Sequence, residues 1–466
     1  MDELLSVLYA IKAGIWSPPL LILLVGVGLY LTILLRGVQF TYLFRAFTLI
    51  GRQEQEQGAG DISPFQSLMT SMSSAVGTGS IVGVATALTA GGLGAVFWLW
   101  VCSFILMAVK YAESLLAVMF RTSDATGQMS GGPMYYIEKG LGWKWMASAF
   151  AVFASVAAIG TGNLVQVNSI ADAVGNVFDV SPWVTGAVLT VITAVVLFGG
   201  IKSIGWVSAW IVPFKAIAYI IVGSCILLIH YDRLPQAIMT ILSCAFNGQA
   251  AVGGFLGASI MMAIQMGVAR CVFCSEAGMG IASIASAAAK TNSSGRQAMM
   301  SMSATLLSTA IICTVTALVI AVTGVLGTVD ETGQVLNGAS LVIRAFSDAV
   351  SGGKYVVIFG LILFAYTTIM AWAYYGEKCF EYLFGAKFVL VYRVAYVGLI
   401  LPGSLFALDV VWCFADIMNG LMVLPNMIAL LALSSLIKDQ TVSFVDAEEK
   451  TRQEEKFGRR PVVKQG

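Results

Sequence analysis

The residues of this chain best suited to chemistry occur as a matched pair. Ser74-Ala75-Val76-Gly77-Thr78-Gly79 and Ser275-Glu276-Ala277-Gly278-Met279-Gly280 both read S-x-x-G-x-G, and each lies inside an overlong apolar segment. Paired glycines loosen a helix, and unwinding in hydrocarbon bares N–H and C=O groups at considerable cost. Such a stretch is tolerated where its backbone faces a ligand, an ion or water. The chemistry on offer is therefore binding rather than bond-making. Half-helix N-termini present positive dipole ends to a carboxylate, and freed carbonyls coordinate a cation. Close helix packing is the other use of such glycines, as Gly79-x-x-x-Gly83 allows.

Further polar groups stand at membrane depth. Asn163 and Gln166 share one helical face. Thr367 and Thr368 offer two hydroxyl oxygens to a hard cation such as sodium, or bond back to their own preceding turn. Trp372 follows on the same helix as a candidate apolar wall. Among charges within apolar segments, Glu276 sits inside the second glycine stretch and Arg270 precedes it. Lys110 and Glu113 are spaced to pair along one helix, and Asp172, Asp409 and Asp416 lie nearer segment ends or in the last segment. Other matches are weak. Gly77-x-Gly79 lacks the strand–turn–helix context of a dinucleotide fold, and Cys271-x-x-Cys274 has no second ligand pair. A single histidine, His230, and no H-E-x-x-H leave metal hydrolysis unsupported. Asp61 and Asp232 fall in loops on opposite sides of the membrane, so they cannot act as a protease dyad.

The elements that must position these residues are membrane spans. Of the 466 residues 58% are hydrophobic and 11% charged, far from the quarter charged that is usual in soluble domains. A net charge of +1 excludes a basic nucleic-acid surface. The acidic start Met1-Asp2-Glu3, with no small-residue cleavage site after the first apolar run, argues against a removable signal peptide. At about 20 apolar residues per crossing, eleven spans are expected near 18–36, 64–89, 94–119, 146–175, 182–201, 206–229, 253–289, 298–325, 354–376, 388–408 and 411–436. With the loop after the first span inside, 19 lysines and arginines lie on the cytoplasmic side and 4 outside. The N-terminus is then outside and the C-terminus inside. Residues 1–63 supply a peripheral helix and connection, 64–230 and 253–436 two five-span repeats, and 437–466 a solvated, weakly ordered cytoplasmic tail. Residues 340–350 are expected to form a short surface helix. Five spans per repeat invert the second copy, so the two glycine stretches enter from opposite sides.

These motifs resemble a known family. Gly60-Asp61-Ile62-Ser63-Pro64-Phe65-Gln66, Val76-Gly77-Thr78-Gly79, Gly131-Gly132-Pro133-Met134-Tyr135-Tyr136, Ser275-Glu276-Ala277-Gly278-Met279-Gly280, Tyr374-Tyr375-Gly376-Glu377-Lys378 and Leu421-Met422-Val423-Leu424-Pro425-Asn426 are similar to the alanine or glycine:cation symporters over residues 20–436. The resemblance implies an all-α, LeuT-like 5+5 inverted repeat with two broken helices plus one peripheral helix. It also implies uptake of a small neutral amino acid such as alanine or glycine, driven by Na+, in a bacterial or archaeal inner membrane. Ala75 and Gly79 would offer backbone to substrate, with Thr78, Asn163, Gln166, Ser275, Gly278 and Trp372 as further pocket candidates. Ser73 and Val76 carbonyls with Thr367 and Thr368 would hold sodium. Departures from the family pattern are Ser80 and Ser275 in place of asparagines, Cys271 in place of glycine, and Ile281, Ser283 and Ser286 in place of serine, proline and histidine. The competing readings are a proton-coupled permease using Glu276 or Asp416, a channel, and a transporter-like sensor without flux.

Overall fold

The computed structural model describes residues 2–51, 58–124, 126–247, 259–329, 333–405 and 408–456. The start of the expected seventh span (253–258), the end of the tenth (406–407) and the last ten residues of the tail lie outside them. So does the side chain of Asp409.

The first helices are α1 (Asp2–Ile15), α2 (Pro18–Leu34), α3 (Val38–Thr41) and α4 (Leu43–Gly51). The first glycine stretch parts α5 (Pro64–Ala75) from α6 (Val82–Gly91), and α7 (Gly94–Met119) follows. A two-residue hairpin, β1 (Thr122–Ser123) with β2 (Met129–Ser130), pairs Thr122 with Ser130 and leads to α8 (Pro133–Leu141). Then come α9 (Lys144–Ala157), α10 (Val165–Phe178), α11 (Pro182–Phe198), α12 (Gly200–Ile229) and α13 (Leu234–Asn247). The second glycine stretch parts α14 (Ile260–Ser275) from α15 (Ser283–Ala287). The remainder are α16 (Ser294–Thr305), α17 (Thr314–Thr323), α18 (Gly338–Ala349), α19 (Gly353–Phe384), α20 (Val389–Gly398), α21 (Ile400–Gly403), α22 (Leu408–Ala432) and α23 (Ser434–Lys456).

Among the described residues, eight helical runs are long and apolar enough to cross a membrane. The other three expected spans miss that measure for visible reasons: two are interrupted by the glycine stretches, and α11 has 17 residues. Large apolar side chains crowd the outer faces of α11 and α12, with Val195 73% and Trp210 69% exposed. A face of that kind needs lipid rather than water. Inside, α7 is buried along most of its length and packs against α14 and α16. Helix α19 packs on α5, α9, α10 and α12, and so brings both ends of the candidate site together.

Three sequence expectations change here. The tail is not a loose extension: α23 is a helix whose Phe444 lies over Gly295, and whose Glu448 reaches Arg45 at 3.0 Å and Arg296 at 3.5 Å. Its charges read as solvated in sequence because their partners come from α4 and α16. Lys110 and Glu113 do not pair with each other either. The Lys110 ammonium donates to the Ser275 carbonyl (2.9 Å), while Glu113 turns to the second glycine stretch, because unwound backbone offers each a closer partner. Finally, α13 adds a helix where only a connection was expected, whereas α18 forms over 338–349 as anticipated.

Candidate functional site

Local sequence sets the first break. Ser63 caps α5 through a capping box with Gln66, with Pro64 at the first turn. At the other end Val76 leaves helical geometry, Gly77 is extended, and Thr78–Ser80 form one tight turn before α6. Gly77 is required by contact as well as by conformation, since a Cβ there would strike the Thr368 hydroxyl. In the second break Glu276, Gly278 and Gly280 take positive φ of 56°, 95° and 76°. Its bared N–H groups are met by a carboxylate. Glu113 Oε1 accepts from Gly278 N at 2.9 Å, Gly280 N at 3.0 Å and the Asn426 side-chain amide at 2.7 Å.

The two breaks are bridged by Ser74, whose hydroxyl donates to Glu276 (2.7 Å) and lies 3.1 Å from the Tyr375 hydroxyl. Between them is a cavity of about 10 Å³, room for about one water. Ala75, Gly77, Thr78 and Gly79 of the first break line it together with Phe273, Met279 and Trp372. Gln166, Thr161 and Asn419 supply polar edges, with Thr78 Oγ1, Gln166 Oε1 and Asn419 Nδ2 buried and without a protein partner. Trp372 is set by Gly162, which sits in a π-helical turn (Ala158–Leu164) directly against the tryptophan's first carbons.

Of the expected pocket residues, Ala75, Thr78, Gly79, Gln166 and Trp372 line this cavity. Asn163 does not: its amide donates to the Tyr396 carbonyl at 2.6 Å. Ser275 bonds back to Cys271 O, and Gly278 is turned to Glu113 and Asn426. Sequence reasoning missed Phe273, Met279, Thr161 and Asn419 as lining: Met279 stands within the second glycine motif itself, and the other three are buried or half-buried helix residues without a distinguishing spacing. Asp416 lies apart, in an ion pair with Lys12 at 2.6 Å.

Beside the cavity the expected cation ligands converge. The hydroxyls of Thr367 and Thr368 each lie 3.2 Å from Ser73 O while also bonding back to their own helix. One further group was unforeseen. The Lys215 ammonium donates to Val76 O (2.7 Å) and to the Thr367 hydroxyl, and lies 4.9 Å from the centre of the Phe364 ring. The side-chain nitrogen thus sits among the same oxygens, on the first break and on α19.

Polar contacts on the α4 side of the bundle tie the ends of the broken helices down. Arg121 donates to the carbonyls of Ala287 and Ala289, at and beyond the end of α15, and to Ala59 and Thr291. Lys378, buried, sits between Asp124 (3.1 Å) and Glu381 (2.9 Å). Burial pulls the Asp124 carboxyl upward, but the Thr126 hydroxyl, Lys378 and the Gln128 N–H outweigh it and hold it down to about 2. A carboxyl depressed in the fold stabilises it above the ordinary aspartate range, and that contribution fades as pH falls through about 4 towards 2. Asp124→Asn should therefore lower the unfolding midpoint at neutral pH. The gap to wild type should narrow below pH 4, and a pH-independent gap would mean the ion pair is not its source.

The model of the sodium:alanine symporter family matches residues 1–459. The chain belongs to the sodium:alanine symporter family. It is 46% identical to the sodium/alanine symporter AgcS of Methanococcus maripaludis, over 95% of this chain and 97% of that protein. It is 34% identical to a probable sodium/glutamine symporter, GlnT, of Bacillus subtilis, over 96% and 91%. Among solved structures, MhsT in complex with L-phenylalanine matches with a TM-score of 0.58 at 15% identity, covering 80% of this chain and 89% of that one. The fold is thus that of a helical membrane protein with LeuT-like neighbours, and this symporter-family member is a transporter.

Proposed function

We propose that this family member is a sodium-coupled symporter for uptake of a small neutral amino acid such as alanine or glycine. The observation carrying the substrate class is the cavity between the breaks, lined by residues of the unwound first break and by the bulk of Trp372, Phe273 and Met279. Backbone groups suit the amino and carboxyl ends common to all amino acids, and the enclosed volume leaves little for a side chain. Even glycine exceeds one water, so the walls must part to admit it.

The coupling ion is Na+, held by the carbonyls of Ser73 and Val76 with the hydroxyls of Thr367 and Thr368. Hard oxygens without directional demand suit sodium. Thr78, Gly79, Ala75, Gln166 and Trp372 face the substrate. Asn163, Ser275 and Gly278 support the pocket from behind, through Tyr396, Cys271 and Glu113. A proton carried by Asp416 is disfavoured by its pairing with Lys12. In this reading eleven spans cross the cytoplasmic membrane with the N-terminus outside and the C-terminus inside. Residues 64–230 and 253–436 form inverted five-span repeats, after the peripheral 1–63 and before the tail, 437–466.

The test is uptake by purified protein in liposomes. Alanine or glycine should accumulate when sodium is high outside and not when potassium replaces it. Equal accumulation under a proton gradient without sodium would replace this reading with proton coupling.

A further inference from the structure

We propose that Lys215 is a tethered cation, which takes the coupling ion's place when none is bound and so lets the empty carrier close around its own unwound backbone. This rests on the sodium reading above. Lys215 is buried, and no ion pair among the described residues includes it. Of the other buried lysines, Lys378 has two carboxylates, while Lys110 donates to the Ser275 carbonyl at the edge of the second break. An ammonium at membrane depth with no counter-charge is costly and needs a reason to be there. What receives it is Val76 O at 2.7 Å and the Thr367 hydroxyl, which are two of the four oxygens assigned to sodium.

The surroundings add no competing explanation. On its own helix, Tyr219 shares its hydroxyl with Thr316 of α17. From α19, the Tyr366 hydroxyl reaches Ile192 O of α11 and the Tyr375 hydroxyl reaches Ser74. Glu276 lies on the far side of the first break, held by Ser74. The lysine therefore addresses the break itself.

Two unit charges at one set of oxygens repel strongly where water is scarce, so ammonium and sodium exclude each other. The lysine comes from α12, which supplies none of the four oxygens. Pro213, two residues earlier, lacks the N–H of the helical ladder and leaves the backbone there less constrained. Sodium entering from solvent displaces the ammonium; sodium leaving lets it return. In the first state the break holds ion and substrate. In the second it holds neither, yet its carbonyls remain satisfied, which an empty carrier needs in order to reorient.

Lys215→Met keeps the stem and removes the charge. With the internal competitor gone, half-saturating sodium for substrate binding should fall about tenfold. The return of the empty carrier should suffer most. Net uptake requires that step, whereas exchange with sodium and alanine on both sides does not, so the ratio of net uptake to exchange should fall about tenfold. Lys215→Gln serves as the second variant and should shift both quantities in the same directions if the methionine chain is poorly folded. An unchanged sodium curve, or net uptake and exchange falling in proportion, would overturn the proposal while leaving sodium coupling intact. A wild-type chain with no sodium dependence would instead overturn the symport reading, and this one with it.

Discussion

Gly162→Ala is expected to reduce alanine uptake about a hundredfold while the protein still inserts and folds. A Cβ at position 162 would collide with Cβ of Trp372 and stand 2.7 Å from its Cγ. Neither atom can swing aside, because both lie at the base of the side chain, on the rigid part of α19. The two helices must therefore shift apart and carry the indole with them, and the space beside it is a cavity of about 10 Å³. Overpacking a tight core costs about 1–3 kcal/mol, and about 2.8 kcal/mol corresponds to a hundredfold. The loss should be steeper for alanine than for glycine, which has one methyl less to place. Gly26→Ala is the control: it sits within α2 with nothing near its would-be Cβ, and should leave uptake unchanged. Equal uptake of both amino acids by Gly162→Ala would show that Trp372 does not bound the substrate.

Thr368→Val should raise half-saturating sodium about tenfold, since it keeps shape and removes one oxygen worth roughly 1.4 kcal/mol. Linkage is reciprocal, so apparent substrate affinity at low sodium should fall as well and recover when sodium saturates. Thr367→Val should shift the sodium curve less. Its hydroxyl also receives Lys215, so removing it weakens the ion and its internal rival together. Substrate binding measured against sodium in both variants decides the matter. Unmoved curves in both, with only lower yield, would reduce the threonines to helix packing.

Much of this site could be read from sequence because its signals are local. Two glycines within three residues inside an apolar run announce a break wherever it lies, and both breaks were found where they stand. Adjacent threonines likewise announce a pair of oxygens. What escaped was every partnership made across the bundle. Lys215 is a lone basic residue within an apolar span, and nothing in its neighbours says that it reaches Val76, far away in the chain. Glu113 looked paired to Lys110 because helical spacing favours that pair, until unwound N–H groups from α14's end outbid it. Asn163 carried the right spacing and the wrong direction: the π-helical turn around it rotates successive side chains, and its amide meets Tyr396. Phe273 and Met279 are ordinary apolar residues that become walls only once the break places them there.

The docking of α23 has a consequence for biogenesis. Glu448 touches Arg45 and Arg296, so residues translated after all the membrane helices hold together two that are translated well before them. Insertion and fastening are therefore separate events in time. Until α23 has been made, the faces of α4 and α16 lack the contact with Glu448. A chain stopped after α22 would therefore lack the contacts that join α4 and α16 through Glu448.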